Sequence, residues 1–391
     1  MTNNEWEQRK QQVAAIFKAN PGITNVEVGR RLNMSERSVR RYKAALSAQV
    51  DTSEQTIRNV RLKRQCEELR TKVNVLEKAL EAKDDAIKQY ADIADSPKAI
   101  DIEIPRTAKR EVVPVIVASD WHIEETVTAA ITNGLNEYNL QIAEASIKQF
   151  FTNAVYLVNR AKADSTVRTV VLAVLGDIIN GVLRNEDLEN NQTSSIDALT
   201  MARSFLYSGI KMLENKTGCR ICVICCVGNH GRLTEKIHYA NQVHNSLEYL
   251  IYKTLERDFR DHKNVDFVVS EAPYVIQSIF GVRVRFQHGH TFRYNGGISG
   301  ISVPILRKVA QLNTIEHADL DVIGHFHTAT VLSNVIINGS LVGTNGFSMS
   351  LGLPHERPQQ MFFLIDSKYG KSMITPIFID RKVERPTIKK I

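Results

Sequence analysis

Val322-Ile-Gly-His-Phe-His327 is the stretch around which this chain is organised. The apolar run from Leu320 to Ile323 predicts a buried strand, which places His325 and His327 at the strand's C-terminal end. Two imidazoles two residues apart can reach one small volume, and neutral imidazole suits zinc, manganese, iron, nickel or copper. A His-x-His pair alone is as typical of a packing feature as of a metal site, so its meaning depends on the motifs upstream.

Four other strand-like runs end in the same kinds of side chain. Their ends are Ser119-Asp-Trp-His122, Gly176-Asp-Ile-Ile-Asn180, Gly228-Asn-His-Gly231 and Gln287-His-Gly-His290. Helical patterns separate the runs, over residues 141–163, 196–213, 242–259 and 302–312. This alternation predicts a layered α/β fold with ligands gathered along one edge. Runs 331–337, 360–365 and 372–379 are expected to complete a second sheet.

The composition is that of a soluble globular protein with two or more modules. The length of 391 residues exceeds one average core, and 43% apolar and 24% charged residues are ordinary fractions. No apolar run approaches membrane-spanning length and residues 1–5 carry no signal pattern, so we expect a cytoplasmic protein without a membrane partner. Five cysteines argue against a disulfide framework, and those in the run 219–227 are predicted to be buried strand residues rather than zinc ligands.

Basic charge is concentrated in the first fifty residues, which hold nine Lys or Arg against four Asp or Glu. Such an excess indicates an anionic partner. Helical spacing predicts one helix up to Pro21, a second from the capping box Thr24 to Glu27, and a third capped by Ser35. Two short helices, a tight turn and a basic third helix resemble the helix-turn-helix DNA-binding motif. The residues predicted to contact DNA are Arg37, Arg40, Arg41 and Lys43; the alternative is a three-helix bundle with a solvated basic face.

Residues 62–90 carry a heptad seam. Its members are Leu62, Cys66, Leu69, Val73, Leu76, Leu80, Lys83, Ile87 and Tyr90. Alternating steps of four and three predict a coiled coil, and with it a homo-oligomer. The alternative is one amphipathic helix lying on the rest of the chain, which would favour a wider apolar stripe. The helix is expected to stop before Ser96-Pro97.

The five motifs, in this order, resemble the calcineurin-like metallophosphoesterase superfamily over about residues 111–345. The resemblance implies a four-layer α/β sandwich with two divalent metal ions, manganese first and zinc, iron or nickel as alternatives. Together with a DNA-binding module, the pattern resembles most the nucleases of double-strand-break repair. The predicted domains are a helix-turn-helix domain at 1–50, a coiled-coil connector at 51–98 and a metallophosphoesterase domain at 99–391.

The resemblance also implies roles for individual residues. The first ion would be held by Asp120, His122, Asp177 and His327, with Asp177 bridging to the second ion, which Asn229, His288 and His325 would complete. His230 would be the family's proton donor or phosphate-binding imidazole. Two ions in such a centre can clamp an in-line phosphoryl displacement, and an imidazole beside them can protonate the leaving alkoxide.

The sequence departs from the family pattern at two positions. Asn180 stands where a second acidic residue is often found, which is expected to weaken a contact that supports a ligand. Gly231 stands where the residue after the catalytic histidine is commonly acidic, which is expected to leave His230 less firmly oriented. His290 is assigned to ligand support or substrate contact. Arg184 and Arg232 are either phosphate contacts or solvated loop charges.

These features together predict a metal-dependent phosphodiester hydrolase, a DNA nuclease recruited to DNA by its N-terminal domain. One alternative is a phosphatase or cyclic-nucleotide phosphodiesterase whose N-terminal domain only sets location. The other is a DNA-binding regulator with a vestigial phosphoesterase core, and the complete ligand set argues against it.

Overall fold

The computed structural model describes residues 3–93, 109–183, 185–293, 300–350, 352 and 355–380, and leaves out the side chains of 49–54 and 89–93. Contacts between residues divide the chain into two compact units, Met1–Ile104 and Pro105–Ile391. Arg184, a predicted phosphate contact, lies outside the described residues.

The first unit is helical, with α1 (Asn3–Ala19), α2 (Asn25–Arg31) and α3 (Glu36–Ile93). Thr24 caps the start of α2, as expected, because its Oγ1 accepts the Glu27 N–H at 3.3 Å. Gly29 is needed where α2 meets the following turn, since a Cβ there would lie 2.6 Å from the Met34 carbonyl oxygen. The three helices share a small core formed by Val13, Val28, Val39 and Tyr42.

Helix α3 is longer than the sequence analysis suggested. It spans 58 residues, so the predicted third helix and the predicted connector are one continuous helix as far as Ile93. The physical reason is that no proline or glycine interrupts residues 36–93. The large apolar side chains of the heptad seam are exposed, from 49% at Val73 to 68% at Leu76.

The second unit contains two sheets and six α-helices among the described residues. The strand orders are β11-β10-β1-β2-β3-β4 and β5-β6-β7-β9-β8. The elements are β1 (Val112–Ala118), α4 (Leu140–Asp164), β2 (Thr169–Val174), α5 (Asn185–Asn190), α6 (Ser195–Thr217), β3 (Arg220–Cys225), a 3₁₀ turn (Val243–Asn245), α7 (Leu247–Asp258), β4 (Val265–Val269), β5 (Val275–Ile279), β6 (Val282–Gln287), α8 (Ser302–Ile315), β7 (Leu320–Ile323), β8 (Thr330–Val331), β9 (Val335–Ile337), α9 (Gly346–Ser350), β10 (Gln359–Asp366) and β11 (Gly370–Phe378).

Alternating side chains of the first sheet fill two different cores. Ile116 and Leu172 belong to the core shared with helices α4, α6 and α7. Val115 and Val171 point the other way, into a core shared with Phe286 and Val322 of the second sheet. The far face of the second sheet packs against α8. The described elements therefore form helix, sheet, sheet and helix layers, and the prediction of an α/β fold with two sheets is confirmed.

Several sequence predictions about the second unit are wrong. The runs 360–365 and 372–379 belong to the first sheet, because β10 pairs antiparallel with β1 and β11 pairs with β10. The run 331–337 forms two strands, since the chain turns between Val331 and Val335. Strand β4 was also not predicted. In each case the local pattern of apolar residues does not specify the pairing partner.

The cysteines of the run 219–227 lie on or beside a strand, as predicted. Cys219, Cys225 and Cys226 are buried on or beside β3, Cys222 is half-buried, and all five cysteines are free thiols. Among the helices described, none is both long and apolar enough to cross a membrane.

Candidate metal centre

The polar motifs converge because the strands that carry them run in the same direction. Strands β1, β2 and β3 are mutually parallel, and so are β6 and β7. Their C-terminal ends bring together two groups of side chains that could each hold a metal ion. The groups are Asp120, His122 and His327, and Asp177, His288 and His325, with candidate ligand atoms within 4.8 Å of one another in each.

The first group presents two imidazole nitrogens and one carboxylate oxygen to a common point. His122 Nε2 lies 3.2 Å from His327 Nε2, and His327 Nε2 lies 3.4 Å from Asp120 Oδ1. Asp120 and His122 are buried. Two imidazole nitrogens that face each other at this distance suit a cation placed between them.

The second group is arranged around Asp177. Its Oδ2 lies 2.9 Å from His288 Nε2, which is also 3.2 Å from Asn229 Oδ1. Its other oxygen, Oδ1, accepts the backbone N–H groups of Asn229 at 2.9 Å and His230 at 2.8 Å. The His325 ring lies 5.1 Å from the His288 ring, centroid to centroid. Asp177 therefore has one oxygen fixed by the backbone and one directed at the candidate ligands.

Hydrogen bonds at the far side of the rings select which nitrogen faces the centre. His288 Nδ1 donates to the Leu175 carbonyl at 2.7 Å, and His122 Nδ1 donates to Asn180 Oδ1 at 2.9 Å. The Asn180 amide is held in that orientation because its Nδ2 donates to Asn191 Oδ1 at 2.8 Å. In the neutral form of both histidines, Nε2 then has its lone pair toward the centre, as a metal ligand requires.

Asp120 is supported from the second sheet. Ser119 Oγ donates to Asp120 Oδ2, and Asn338 Nδ2 donates to Ser119 Oγ at 2.8 Å. The His325 N–H lies 3.0 Å from both oxygens of Asp120. Gly324 makes this approach possible, because a Cβ there would lie 2.6 Å from Asp120 Oδ2.

The backbone is strained at five of these candidate ligand positions. Left-handed φ values between 42° and 68° occur at Asp120, His122, Asp177, His325 and His327. They are five of the nine non-glycine residues with positive φ in the described part of the chain. Each such conformation costs about 1–3 kcal/mol and persists only where surrounding contacts enforce it, which is typical of functional sites.

Charges divide the histidines into neutral and protonated members. Burial and the neighbouring His230 and His327 hold the pKa of His122 well below its usual value, and burial and His288 do the same for the pKa of His325. Burial also lowers the pKa of His288, but the charge and hydrogen bond of Asp177 outweigh it and raise that pKa to about 9. Without metal, His288 and Asp177 therefore form an ion pair near neutral pH.

This ion pair predicts that metal binding releases protons. His288 is protonated at pH 7.5 because its pKa is about 9, and an ion can bind Nε2 only after that proton leaves. Affinity should fall about tenfold per pH unit below the His288 pKa, since one proton competes with the ion. Calorimetric Mn²⁺ titrations in two buffers with different ionisation enthalpies would measure the release. The variant His288→Gln should release fewer protons, and no release from the unmodified protein would contradict the assignment.

No protein-family model and no curated protein sequence matches the chain. Several solved structures are similar to it. A predicted phosphoesterase from Streptococcus pneumoniae TIGR4 is 15% identical, with a TM-score of 0.29, and the alignment covers 71% of this chain and 94% of that one. Vacuolar Protein Sorting 29 from Cryptosporidium parvum is 14% identical, with a TM-score of 0.28 and coverages of 68% and 96%. Vps29 from Entamoeba histolytica, complexed with Zn²⁺, is 12% identical, with a TM-score of 0.28 and coverages of 68% and 99%.

The remaining predicted site residues lie around the two groups. His230 Nδ1 donates to the Asn180 carbonyl at 2.8 Å, and its ring lies 4.6 Å from the His122 ring. His290 lies beside the second group, with its Nε2 2.7 Å from Gln242 Nε2. Burial and His288 lower the pKa of His290 to about 3. Arg232 donates to the carbonyls of Asn229, Thr234 and Glu235 at 3.0 to 3.1 Å, so these bonds organise its own loop.

Two buried carboxyl groups that the sequence analysis missed support the loops that carry candidate ligands. Glu124 accepts the N–H groups of Asn180 and Gly181, both at 2.8 Å, and burial raises the pKa of its carboxyl to about 7. Glu248 accepts the N–H groups of Ile178 and Gly228, and burial together with Asp177 raises its pKa to about 8. Glu124 could have been noticed, because it lies two residues after His122. Glu248 gave no sequence signal, because it comes from helix α7.

Proposed function

We propose that this chain is a metal-dependent phosphodiester hydrolase with two divalent ions at the candidate centre. One ion would be held by Asp120, His122 and His327, the other by Asn229, His288 and His325, and Asp177 would bridge them. The observation that carries the proposal is the pair of adjacent groups, each combining a carboxylate with two imidazoles, in which hydrogen bonds at Nδ1 of His122 and of His288 direct Nε2 inward. Nitrogen and oxygen donors without thiolate suit manganese, and equally zinc, iron or nickel.

When bound, such ions would supply a lowered water pKa and positive charge to neutralise phosphate oxygens. The chain's own residues supply the rest. Asp177 keeps Oδ2 directed inward because its Oδ1 is occupied by two backbone N–H groups. His230 keeps its Nε2 available for proton transfer, because its Nδ1–H donates a hydrogen bond to the Asn180 carbonyl. A neighbouring imidazole can then deliver a proton to the leaving alkoxide.

A substrate panel tests this proposal. Metal-free protein would be given Mn²⁺ and offered bis-p-nitrophenyl phosphate, p-nitrophenyl phosphate, a cyclic nucleotide, and single- and double-stranded DNA. Hydrolysis of the diester and of DNA, abolished by a chelator and restored by Mn²⁺, is expected. Preference for the monoester or the cyclic nucleotide would favour a phosphatase or cyclic-nucleotide phosphodiesterase instead.

We propose further that DNA is the substrate and that α2, the turn after it and the start of α3 form a helix-turn-helix. Arg37, Arg40, Arg41 and Lys43 are all exposed on α3. The Arg41 guanidinium lies 5.0 Å from the Trp6 ring centroid and the Lys43 ammonium 4.6 Å from that of Phe17. These contacts orient two cationic groups at the surface of the unit, which supports a phosphate-binding face.

Replacing all four of these basic residues by Ala is expected to weaken DNA binding and cleavage together. The loss should shrink as salt is raised, because fewer condensed ions are released on binding. Hydrolysis of bis-p-nitrophenyl phosphate should be unchanged, since that substrate is too small to need the face. A matched control replaces Arg58, Arg61, Lys63 and Arg64, which carry equal charge farther along α3. Equal losses in both variants would attribute the effect to net charge and not to this face.

We propose that the partner of the exposed seam of α3 is α3 of a second copy, parallel and in register. In heptad positions a to g, Val73 and Ile87 occupy a, while Leu62, Leu69 and Leu76 occupy d, a combination that favours parallel two-stranded coils. Asn59 falls at the a position before Leu62, where a single Asn specifies register. Lys72 at g and Glu77 at the following e would form an ion pair between the copies.

Cys66 provides the test, because it occupies an a position and would face its own copy in a parallel coil. Mild oxidation with copper-phenanthroline is expected to give a disulfide-linked dimer of the full chain. Cys66→Ser should abolish the product, and Thr71→Cys in that background should not restore it, because position 71 lies on the opposite face. A dimer by light scattering without a Cys66 cross-link would indicate an antiparallel pair. A monomer at all concentrations would refute self-association through α3.

A further inference from the structure

Position 231 holds glycine where the family pattern commonly places an acidic residue, and another carboxylate fills the space beside it. A Cβ at Gly231 would lie 2.7 Å from Cγ and 3.3 Å from Cδ of Glu248. Glu248 is fully buried in the first turn of α7. A side chain at position 231 and the side chain of Glu248 therefore compete for one volume.

The Glu248 carboxylate joins two of the loops that carry candidate ligands. Its Oε1 accepts the Ile178 N–H at 2.7 Å, and its Oε2 accepts the Gly228 N–H at 2.6 Å. Ile178 directly follows Asp177, and Gly228 directly precedes Asn229. A buried backbone N–H group without an acceptor is costly, so the two loops depend on these bonds.

The position of Gly228 matters for Asp177. Gly228 packs so closely on Asp177 that a Cβ there would overlap Oδ1. The next two backbone N–H groups, of Asn229 and His230, are the donors that fix Asp177 Oδ1. Gly228, whose N–H donates to Glu248, therefore directly precedes the backbone that fixes Asp177 Oδ1.

The start of α7 is itself tied to position 231. The Leu247 N–H donates to the Gly231 carbonyl at 2.8 Å. Ser246 caps the helix, with its Oγ accepting the Glu248 N–H at 3.3 Å. These two bonds hold Glu248 close to Gly231. The Glu248 side chain therefore occupies the space that a side chain at position 231 would need.

We propose that Glu248 is a positioning residue that replaces, from helix α7, the acidic side chain that position 231 lacks. The carboxylate reaches the backbone of the Asp177 and Asn229 loops from a different part of the chain, and Gly231 leaves it the room to do so. This inference rests on the proposed metal centre, and it accounts for how His230 can be held firmly without an acidic neighbour in sequence.

The test compares Glu248→Ala, Glu248→Gln, Gly231→Glu and the double variant Gly231→Glu/Glu248→Ala in the full chain. Mn²⁺ affinity by calorimetry and kcat on bis-p-nitrophenyl phosphate are the readouts, with the melting temperature measured alongside. Each Glu248 variant should lose about 10–100-fold in Mn²⁺ affinity and in kcat, the usual effect of removing a residue that orients metal ligands. Glu248→Gln should lose as well, because its amide NH₂ would face a backbone N–H donor. Glu256→Gln on the same helix is the matched control and should match the unmodified protein.

The double variant decides the question. Gly231→Glu alone should destabilise the protein, because its side chain meets Glu248. Combined with Glu248→Ala, the same substitution should restore affinity and kcat to within a few-fold of the unmodified protein, a non-additivity expected of side chains that share one role. A double variant no better than Glu248→Ala, or a folded Glu248→Gln with full Mn²⁺ affinity, would overturn the proposal. Mn²⁺ affinity reports on Glu248 even if no phosphodiester is cleaved, so failure of the proposed activity is distinguishable.

Discussion

Asp177→Asn is expected to lower phosphodiester hydrolysis by about 10⁴-fold or more, the scale of loss when one member of a catalytic unit is removed. Asp177 is the only carboxylate in the second candidate group, and its Oδ2 is directed at His288 Nε2. An asparagine keeps an oxygen to accept the N–H groups of Asn229 and His230. It removes the negative charge that a bridging ligand must supply. The loss should therefore appear without loss of the fold.

Steady-state rates on bis-p-nitrophenyl phosphate, with melting temperatures measured in parallel, would check this expectation. Asp261→Asn, an exposed position after α7, is a matched control and should retain full activity. If Asp177→Asn hydrolysed the diester at the rate of the control in the presence of Mn²⁺, the assignment of Asp177 to both ions would be wrong.

Loss of His230 should depend on the leaving group. With DNA the departing oxygen is an alkoxide that needs a proton, and removing a general acid costs about 10²–10⁴-fold. In bis-p-nitrophenyl phosphate the departing phenolate is stable without a proton, so His230→Ala should slow it much less. The geometry supports this role because His230 Nδ1 donates a hydrogen bond to the Asn180 carbonyl. This bond leaves Nε2 as the ring nitrogen that can transfer a proton.

The readout is the rate of hydrolysis of DNA and of bis-p-nitrophenyl phosphate, measured for His230→Ala and for a control variant. His238→Ala is the control, an exposed histidine eight residues farther along the same loop. Equal losses on DNA and on the aryl diester would assign His230 to binding or orientation of the phosphate and would reject proton donation.

The strand ends were predictable because the relevant pattern is local. The run from Leu320 to Ile323 is the whole of β7, and each of the five motifs follows a strand, as the apolar runs indicated. Asn180 illustrates the limit of such reasoning. Its amide was expected to weaken support for a ligand, yet its Oδ1 accepts the His122 Nδ1 proton at 2.9 Å, as a carboxylate oxygen would.

What could not be predicted depends on contacts between distant parts of the chain. Asn338 reaches Ser119 across 219 positions, and Glu248 reaches Ile178 across 70. The sheet to which a strand belongs also depends on distant contacts. Strand β10 is apolar on both faces, and its sequence does not indicate that it pairs with β1. The unbroken course of α3 could be predicted from the local absence of proline and glycine, and the predicted domain boundary at position 50 falls within this one helix.

Anomalous diffraction from crystals grown with Mn²⁺ would test the two-ion centre most directly. Two anomalous peaks are expected per chain, one contacted by Asp120, His122 and His327 and one by Asn229, His288 and His325. Both should lie within coordination distance of Asp177. A single peak, or peaks that do not touch Asp177, would contradict the proposed two-ion phosphodiester hydrolase.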